Sequence, residues 1–262
     1  MDKTFKESFQ ERQREVEEIL KGYLPEKQGL QKTIFEAMEY SLMAGGKRIR
    51  PILMREAYRL FGGVDEKVIE PFMAAMEMVH TYSLVHDDLP AMDNDDYRRG
   101  RKTTHVVYGE DMGILAGDAL LNYAFETASR CFDKTGNLSA AAKAFQIFSR
   151  KAGVYGMVGG QVVDVERTGQ PLDKEVLEFI YTLKTGALLE GALMVGAALA
   201  GADDSALDKM EQIGRCVGMA FQIQDDILDV TCTSEELGKP AHSDEKNNKV
   251  TYVTLFGIEE AS

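Results

Sequence analysis

Asp87, Asp88 and Asp93 form one group of carboxylates, and Asp225, Asp226 and Asp229 form a second. Both interrupt apolar, helix-like stretches, and Lys or Arg residues lie near each. Carboxylates this close repel one another at neutral pH unless cations join them. Oxygen donors favour Mg2+, Mn2+ or Ca2+, whereas zinc takes His or Cys, and the chain has only 4 His and 3 Cys. The calcium-loop spacing with its central Gly and terminal Glu is absent. Mg2+ is bound through one or two carboxylates together with waters and substrate phosphates. The chemistry this suggests is a set of hard cations that grip a diphosphate and draw it off carbon.

Spacing says how the side chains are presented. Asp225 and Asp229 stand at i and i+4, on one face of a helix. Their neighbours Phe221, Ile223, Ile227, Leu228 and Val230 read as core, which argues against a merely solvated acidic face. Asp93 would lie about 240° round a straight helix from Asp87. Pro90 disfavours helix at the residue before it. The helix is therefore expected to end near Leu89, with the chain curling to return Asp93 to the pair. The two clusters are expected to close on one pocket.

Basic residues sit beside both groups. Lys47 and Arg50, between two predicted helices, are spaced to face one anion, and Arg98 and Arg99 follow the first cluster directly. Lys184-Thr185-Gly186, Lys239 and Lys249 come later. Arg forks match phosphate oxygens. Taken singly, each is explained as surface charge; their placement argues for a joint role. His80, seven residues before Asp87, falls on nearly the same helix face and is a candidate phosphate donor.

These residues need a rigid scaffold. Apolar residues recur at helical spacing, as in Ile34, Met38, Leu42 and in Val68, Phe72, Met76, Val79. No strand-like alternation of any length occurs. The reading is all-α, with helices near 4–20, 30–44, 49–61, 67–88, 111–133, 138–156, 174–200 and 204–230. Small residues such as Ala116, Gly117 and Ala119, or Gly153, Gly156, Gly159 and Gly160, imply close helix packing or a cavity. The 262 residues carry a net charge of −13, which repels nucleic-acid backbones. The cysteines are odd in number and unpaired in spacing, consistent with a reducing, cytoplasmic setting. No apolar run reads as a membrane span; Gly186–Ala202 reads as a buried helix.

With these motifs in hand, the chain resembles the trans-isoprenyl diphosphate synthases (polyprenyl synthetases), and within them the bacterial farnesyl diphosphate synthases. The resemblance runs from about Gly29 to Gly257. It rests on GGKRIRP (45–51), EMVHTYSLVHDDLPAMDNDDYRRG (77–100), GGQVVDV (159–165), KTG (184–186), FQIQDDILD (221–229), GKP (238–240) and NKVTY (248–252). It implies a single isoprenoid-synthase domain over 1–262, an antiparallel helix bundle around a large central cavity. It implies that Asp87, Asp88 and Asp93 hold two Mg2+ ions and that Asp225, supported by Asp226 and Asp229, holds a third, with Mn2+ as a substitute. The allylic diphosphate would rest on the metals, Arg98, Lys184, Lys239 and Lys249. Isopentenyl diphosphate would rest on Lys47, Arg50, His80 and Arg99. Thr185, Gln161 and Gln222 would turn oxygen lone pairs or dipoles toward a developing allylic cation. In this mechanism the C–O bond ionises, the alkene of isopentenyl diphosphate attacks C1, and a proton leaves with the diphosphate.

The resemblance also implies a homodimer, and a C15 product limited by bulk just before the first motif, where Tyr82 and Ser83 lie. Tyr82 sits about 7.5 Å along the helix from Asp87 but about 140° round from it, and an ordinary core Tyr is the competing explanation. C10 and C20 products are the alternatives within the family. Relatives of this kind carry at least one further helix and a basic tail beyond the position of Ser262. A terpene cyclase would share the fold and the metal trigger but would not need GGKRIRP, His80 or Arg99. A non-catalytic prenyl synthase subunit would lack one aspartate motif, and this chain has both.

Overall fold

The structure, a computed structural model, describes residues 3–232 and 250–261. It is all-α apart from one two-residue hairpin among the described residues. The chain divides into two compact units, Met1–Phe145 with Val195–Ala202, and Gln146–Met194 with Asp203–Ser262.

The first unit contains α1 (Lys3–Tyr23), α2 (Lys32–Leu42), α3 (Ile49–Leu60) and α4 (Glu66–Asp87). A hairpin follows, β1 (Tyr97–Arg98) with β2 (Arg101–Lys102), then α5 (Thr104–Tyr108) and α6 (Glu110–Ser129). The α4 helix forms the core: Ile69, Phe72, Met73, Met76, Met78 and Val79 are all fully buried. Asp65 caps its start by accepting the Lys67 amide. Its most extensive neighbour is α6, whose Gly113, Ala116, Gly117, Leu120 and Ala124 recur at helical spacing and are buried. At Gly117 the reason is direct: a Cβ there would meet His86 Nε2 at 2.0 Å. The small stripe predicted around residue 117 is thus a packing seam.

The second unit begins within α7 (Leu138–Ala152), at Gln146, and continues with α8 (Met157–Arg167) and α9 (Lys174–Ile180). A π-helical turn (Tyr181–Gly186) runs into α10 (Ala187–Leu199), followed by α11 (Asp204–Thr231), α12 (Tyr252–Phe256) and α13 (Ile258–Ala261). Leu177, Ile180 and Tyr181 centre an apolar cluster with Val163, Met219, Tyr252 and Leu255. Gly160 lets α8 approach the π turn, because a Cβ there would lie 2.2 Å from the Lys184 amide nitrogen.

The expected helices are present, with four differences. The helix expected to reach residue 156 stops at Ala152, and α8 was hidden by Gly159 and Gly160, whose helix-breaking character is outweighed by packing. The helix expected over 174–200 is interrupted by the π turn. The hairpin and α5 were not expected; they are too short to show a period. Phe221 and Val230 are not core: they are 37% and 39% exposed, while Asp226 and Asp229 beside them are buried. The Lys174–Leu199 stretch is long and apolar enough to cross a membrane, but 72% of its most apolar window is buried within the protein.

Candidate active site

The first aspartate cluster is shaped by a backbone curl. The α4 helix ends at Asp87, two residues before the predicted end, and Asp88 caps it. The Asp93 amide then donates to the Asp87 carbonyl at 2.8 Å, Asn94 to Leu89 at 3.1 Å and Asp95 to Asp88 at 3.2 Å. Asn94 takes a left-handed φ of 53°, which Asn tolerates better than most residues. The far side is pinned as well: Thr103 donates its hydroxyl to the Asp95 carbonyl and its amide to that of Asp96. Asp93 is therefore tied by backbone to Asp87. Asp88 is 4% exposed, and its Oδ1 accepts from Arg98 Nε at 2.8 Å and meets Nη2 at 2.7 Å. Burial raises the Asp88 pKa, and the Arg98 guanidinium opposes that rise.

Beside this cluster lies a concentration of cations. The hairpin turn places Arg99 and Gly100 at φ 53° and 73°, the left-handed pair that a tight two-residue turn requires. Arg99 then donates to the Gly45 carbonyl. Gly46, at φ 135°, has no side chain to obstruct it; a Cβ would lie 2.6 Å from Arg99 Nη1. Arg48 is the residue that sequence reasoning passed over. It is 2% exposed, caps α3 in a left-handed conformation, and pairs with buried Glu77 at 2.8 Å while donating to the Leu42 carbonyl. It fixes the bend between exposed Lys47 and half-buried Arg50.

Arg50 has a buried Nε with no hydrogen-bond partner among the described residues. Burial lowers its pKa; Glu77 opposes this and Arg99 adds to it. Burial lowers Arg99 as well. His80 is held well below 6.5 by burial first and then by Arg50, Arg99, Arg98 and Arg48. A neutral imidazole among four guanidiniums, with Glu77 and Asp88 as their buried counterions, can donate to an anion that also satisfies the arginines. Tyr82 is 6% exposed, packs edge-on against His86 at 5.8 Å, and has its pKa pushed to about 12 by burial and then by Asp87. Ser83 donates to the His80 carbonyl at 2.9 Å.

In the second unit the π turn carries the KTG residues. Lys184 pairs with Asp164 of α8 at 2.7 Å, and Thr185 donates to Gln222 of α11 at 2.7 Å. Gln161, three residues before Asp164, is half-buried on α8. Asp164 was not foreseen; its signal was its i+3 spacing from Gln161 within GGQVVDV. Asp225 is half-buried and Asp229 is 1% exposed. Asp226 Oδ2 accepts from the Tyr181 hydroxyl at 2.6 Å and from the Tyr252 amide at 2.8 Å. Lys239 and Lys249 lie outside the described residues.

Among the described residues, no three His, Cys, Asp or Glu side chains converge as a complete metal cage. Mg2+ needs no such cage, since waters and phosphates complete its shell. Asp87 and Asp93 in the first unit and Asp225 in the second offer the carboxylate oxygens that Mg2+ takes, while Asp88 pairs with Arg98 and Asp226 accepts from Tyr181 and Tyr252.

This helical fold, with its acidic motifs and arginine cluster, is that of an isoprenoid-synthase prenyltransferase. The chain belongs to the polyprenyl synthetase family, whose model matches residues 31–262. It is similar to the farnesyl diphosphate synthase of Geobacillus stearothermophilus, with 43% identity over 95% of this chain and 83% of that protein. It is also similar to a geranylgeranyl diphosphate synthase of Cyanophora paradoxa, with 46% identity over 96% of this chain and 83% of that one. A geranyltransferase from Helicobacter pylori, solved with magnesium and isoprenyl diphosphate, superimposes with a TM-score of 0.85 at 32% identity, covering 98% of this chain and 84% of its own.

Proposed function

We propose that the protein condenses isopentenyl diphosphate head-to-tail with dimethylallyl or geranyl diphosphate, in a Mg2+-dependent reaction that ends at the C15 farnesyl diphosphate. The observation that carries this reading is the Arg50, His80 and Arg99 group. A prenyltransferase that joins two diphosphates needs one cation-rich receptor for the substrate that keeps its diphosphate. Arg50 brings a buried, unsatisfied donor to it, and His80 brings a neutral one.

When bound, Mg2+ supplies Lewis-acid stabilisation of the departing diphosphate. Asp87, Asp93 and Asp225 would hold it, with about three ions as the family implies. Lys184 offers a cation to the allylic diphosphate, held in place by Asp164. Thr185 and Gln222 turn oxygen lone pairs toward the positive charge that develops as the C1–O bond breaks. The alkene of isopentenyl diphosphate then supplies the electron pair for the new C–C bond. A proton leaves from C2 to the released diphosphate, so no protein base is required. The C15 limit is assigned to Tyr82, buried one turn before the motif. Relatives named for C15 and for C20 products are similarly close to this chain, so product length rests on that side chain. A homodimer and a cytoplasmic setting are part of the same proposal.

The test is product analysis. The purified protein is incubated with dimethylallyl diphosphate, isopentenyl diphosphate and Mg2+, and the dephosphorylated products are chromatographed. Farnesol as the main product supports the reading. Geranylgeraniol would move it to the C20 alternative, and no elongation would overturn it.

A further inference from the structure

Asp226 stands in the second aspartate motif, yet its geometry differs from that of a cation ligand. It is 3% exposed. Its Oδ2 accepts from both the Tyr181 hydroxyl and the Tyr252 amide. Tyr181 and Tyr252 belong to the apolar cluster of the second unit, so this carboxylate is satisfied within a greasy surround. Adjacent helix residues point about 100° apart, and Asp225 therefore faces elsewhere.

A second contact explains what the arrangement achieves. Thr185 donates to Gln222 at 2.7 Å. Tyr181 and Thr185 are i and i+4 on the π-turn strand of the chain; Gln222 and Asp226 are i and i+4 on α11. The pairs 181–226 and 185–222 form two rungs between them. The Tyr252 amide joins the first rung, where the chain returns as α12.

We propose that Asp226 is a positioning residue that locks the π turn and the returning chain in register against α11. Its loss lets the rung at Thr185–Gln222 slip and frees the 250–256 segment. The consequence for prenyl transfer rests on the function proposed above, in which Lys184, Thr185 and Gln222 serve the allylic diphosphate. The lock itself does not.

Hydrogen–deuterium exchange on the full-length, metal-free protein tests the lock without any turnover. Asp226→Ala is expected to speed exchange at the Tyr252 amide on the order of tenfold, the loss of one well-made hydrogen bond. Asp226→Asn keeps a single carbonyl oxygen able to accept both donors, and is expected to hold exchange near wild type. The second readout is the Mg2+ concentration for half-maximal turnover. Asp225→Asn should raise it much further than Asp226→Asn does. Unchanged exchange in Asp226→Ala, or an Asp226→Asn shift as large as that of Asp225→Asn, overturns the proposal. Should Asp226→Ala not fold, the Mg2+ comparison decides. A wild-type protein without prenyl transfer would defeat the proposed function while leaving the exchange result standing.

Discussion

The amide of Asp93 donates to the carbonyl of Asp87 at 2.8 Å. This one bond brings together two carboxylate residues that a straight helix would point about 240° apart. The curl is locked on both sides, through Asn94 to Leu89 and through Thr103 to Asp95. The backbone bonds of the curl hold the loop in place without help from a side-chain carboxylate.

Asp87→Ala and Asp225→Ala should each lower kcat by roughly 10²–10³, the usual loss when one preorganised electrostatic group is removed. Steady-state turnover at saturating Mg2+, with circular dichroism to show an intact fold, checks this. Near-normal kcat in either variant removes that residue from the metal assignment.

Glu77→Ala strands the Arg48 guanidinium in a site where the two side chains are 1% and 3% exposed. Breaking a buried pair in this way costs about 3–5 kcal/mol. Urea unfolding followed by circular dichroism should show a loss of that size, and folded variant should bind isopentenyl diphosphate more weakly because Arg48 sets the bend that carries Lys47 and Arg50. Wild-type stability would mean the pair is not closed in solution.

Tyr82→Ala should lengthen the product toward C20 or beyond. The removed ring is buried against His86, and its loss opens space one turn before Asp87. Chromatography of the dephosphorylated alcohols reports the outcome. An unchanged product would leave Tyr82 as ordinary core.

His80 gives a pH signature. Its folded pKa lies well below 6.5, so the unfolded chain takes up the proton first as pH falls. Stability is complete above the unfolded value and declines as pH drops below about 6.5 toward the folded value. His80→Gln should flatten that part of the melting-temperature profile between pH 7 and pH 5. A diphosphate in the arginine cluster supplies the missing counter-charge, so the same decline should shrink when isopentenyl diphosphate is present. Equal slopes in wild type and variant would place the acid sensitivity elsewhere.

Long-period features were legible in the sequence. The 3.6-residue repeat gave α4, and Pro90 gave the end of α4 and the curl, because both are local backbone effects. Partners across sequence distance were not. Nothing near Arg48 announces Glu77, and nothing near Asp226 announces Tyr181; only packing brings them together. Phe221 and Val230 were misread because neighbouring apolar residues suggested burial all round, whereas α11 buries Asp226 and Asp229 and leaves those two exposed. The π turn was not legible because its six residues lie inside a longer helical run and show no period of their own; Gly160 and Gly218 leave room beside it, since a Cβ at either would meet its backbone.

The most direct test is the rate of diphosphate release from geranyl diphosphate, measured with and without isopentenyl diphosphate and with Mg2+ or excess chelator. The account predicts release only when isopentenyl diphosphate and Mg2+ are both present. Release without isopentenyl diphosphate, or undiminished release under chelation, would contradict it.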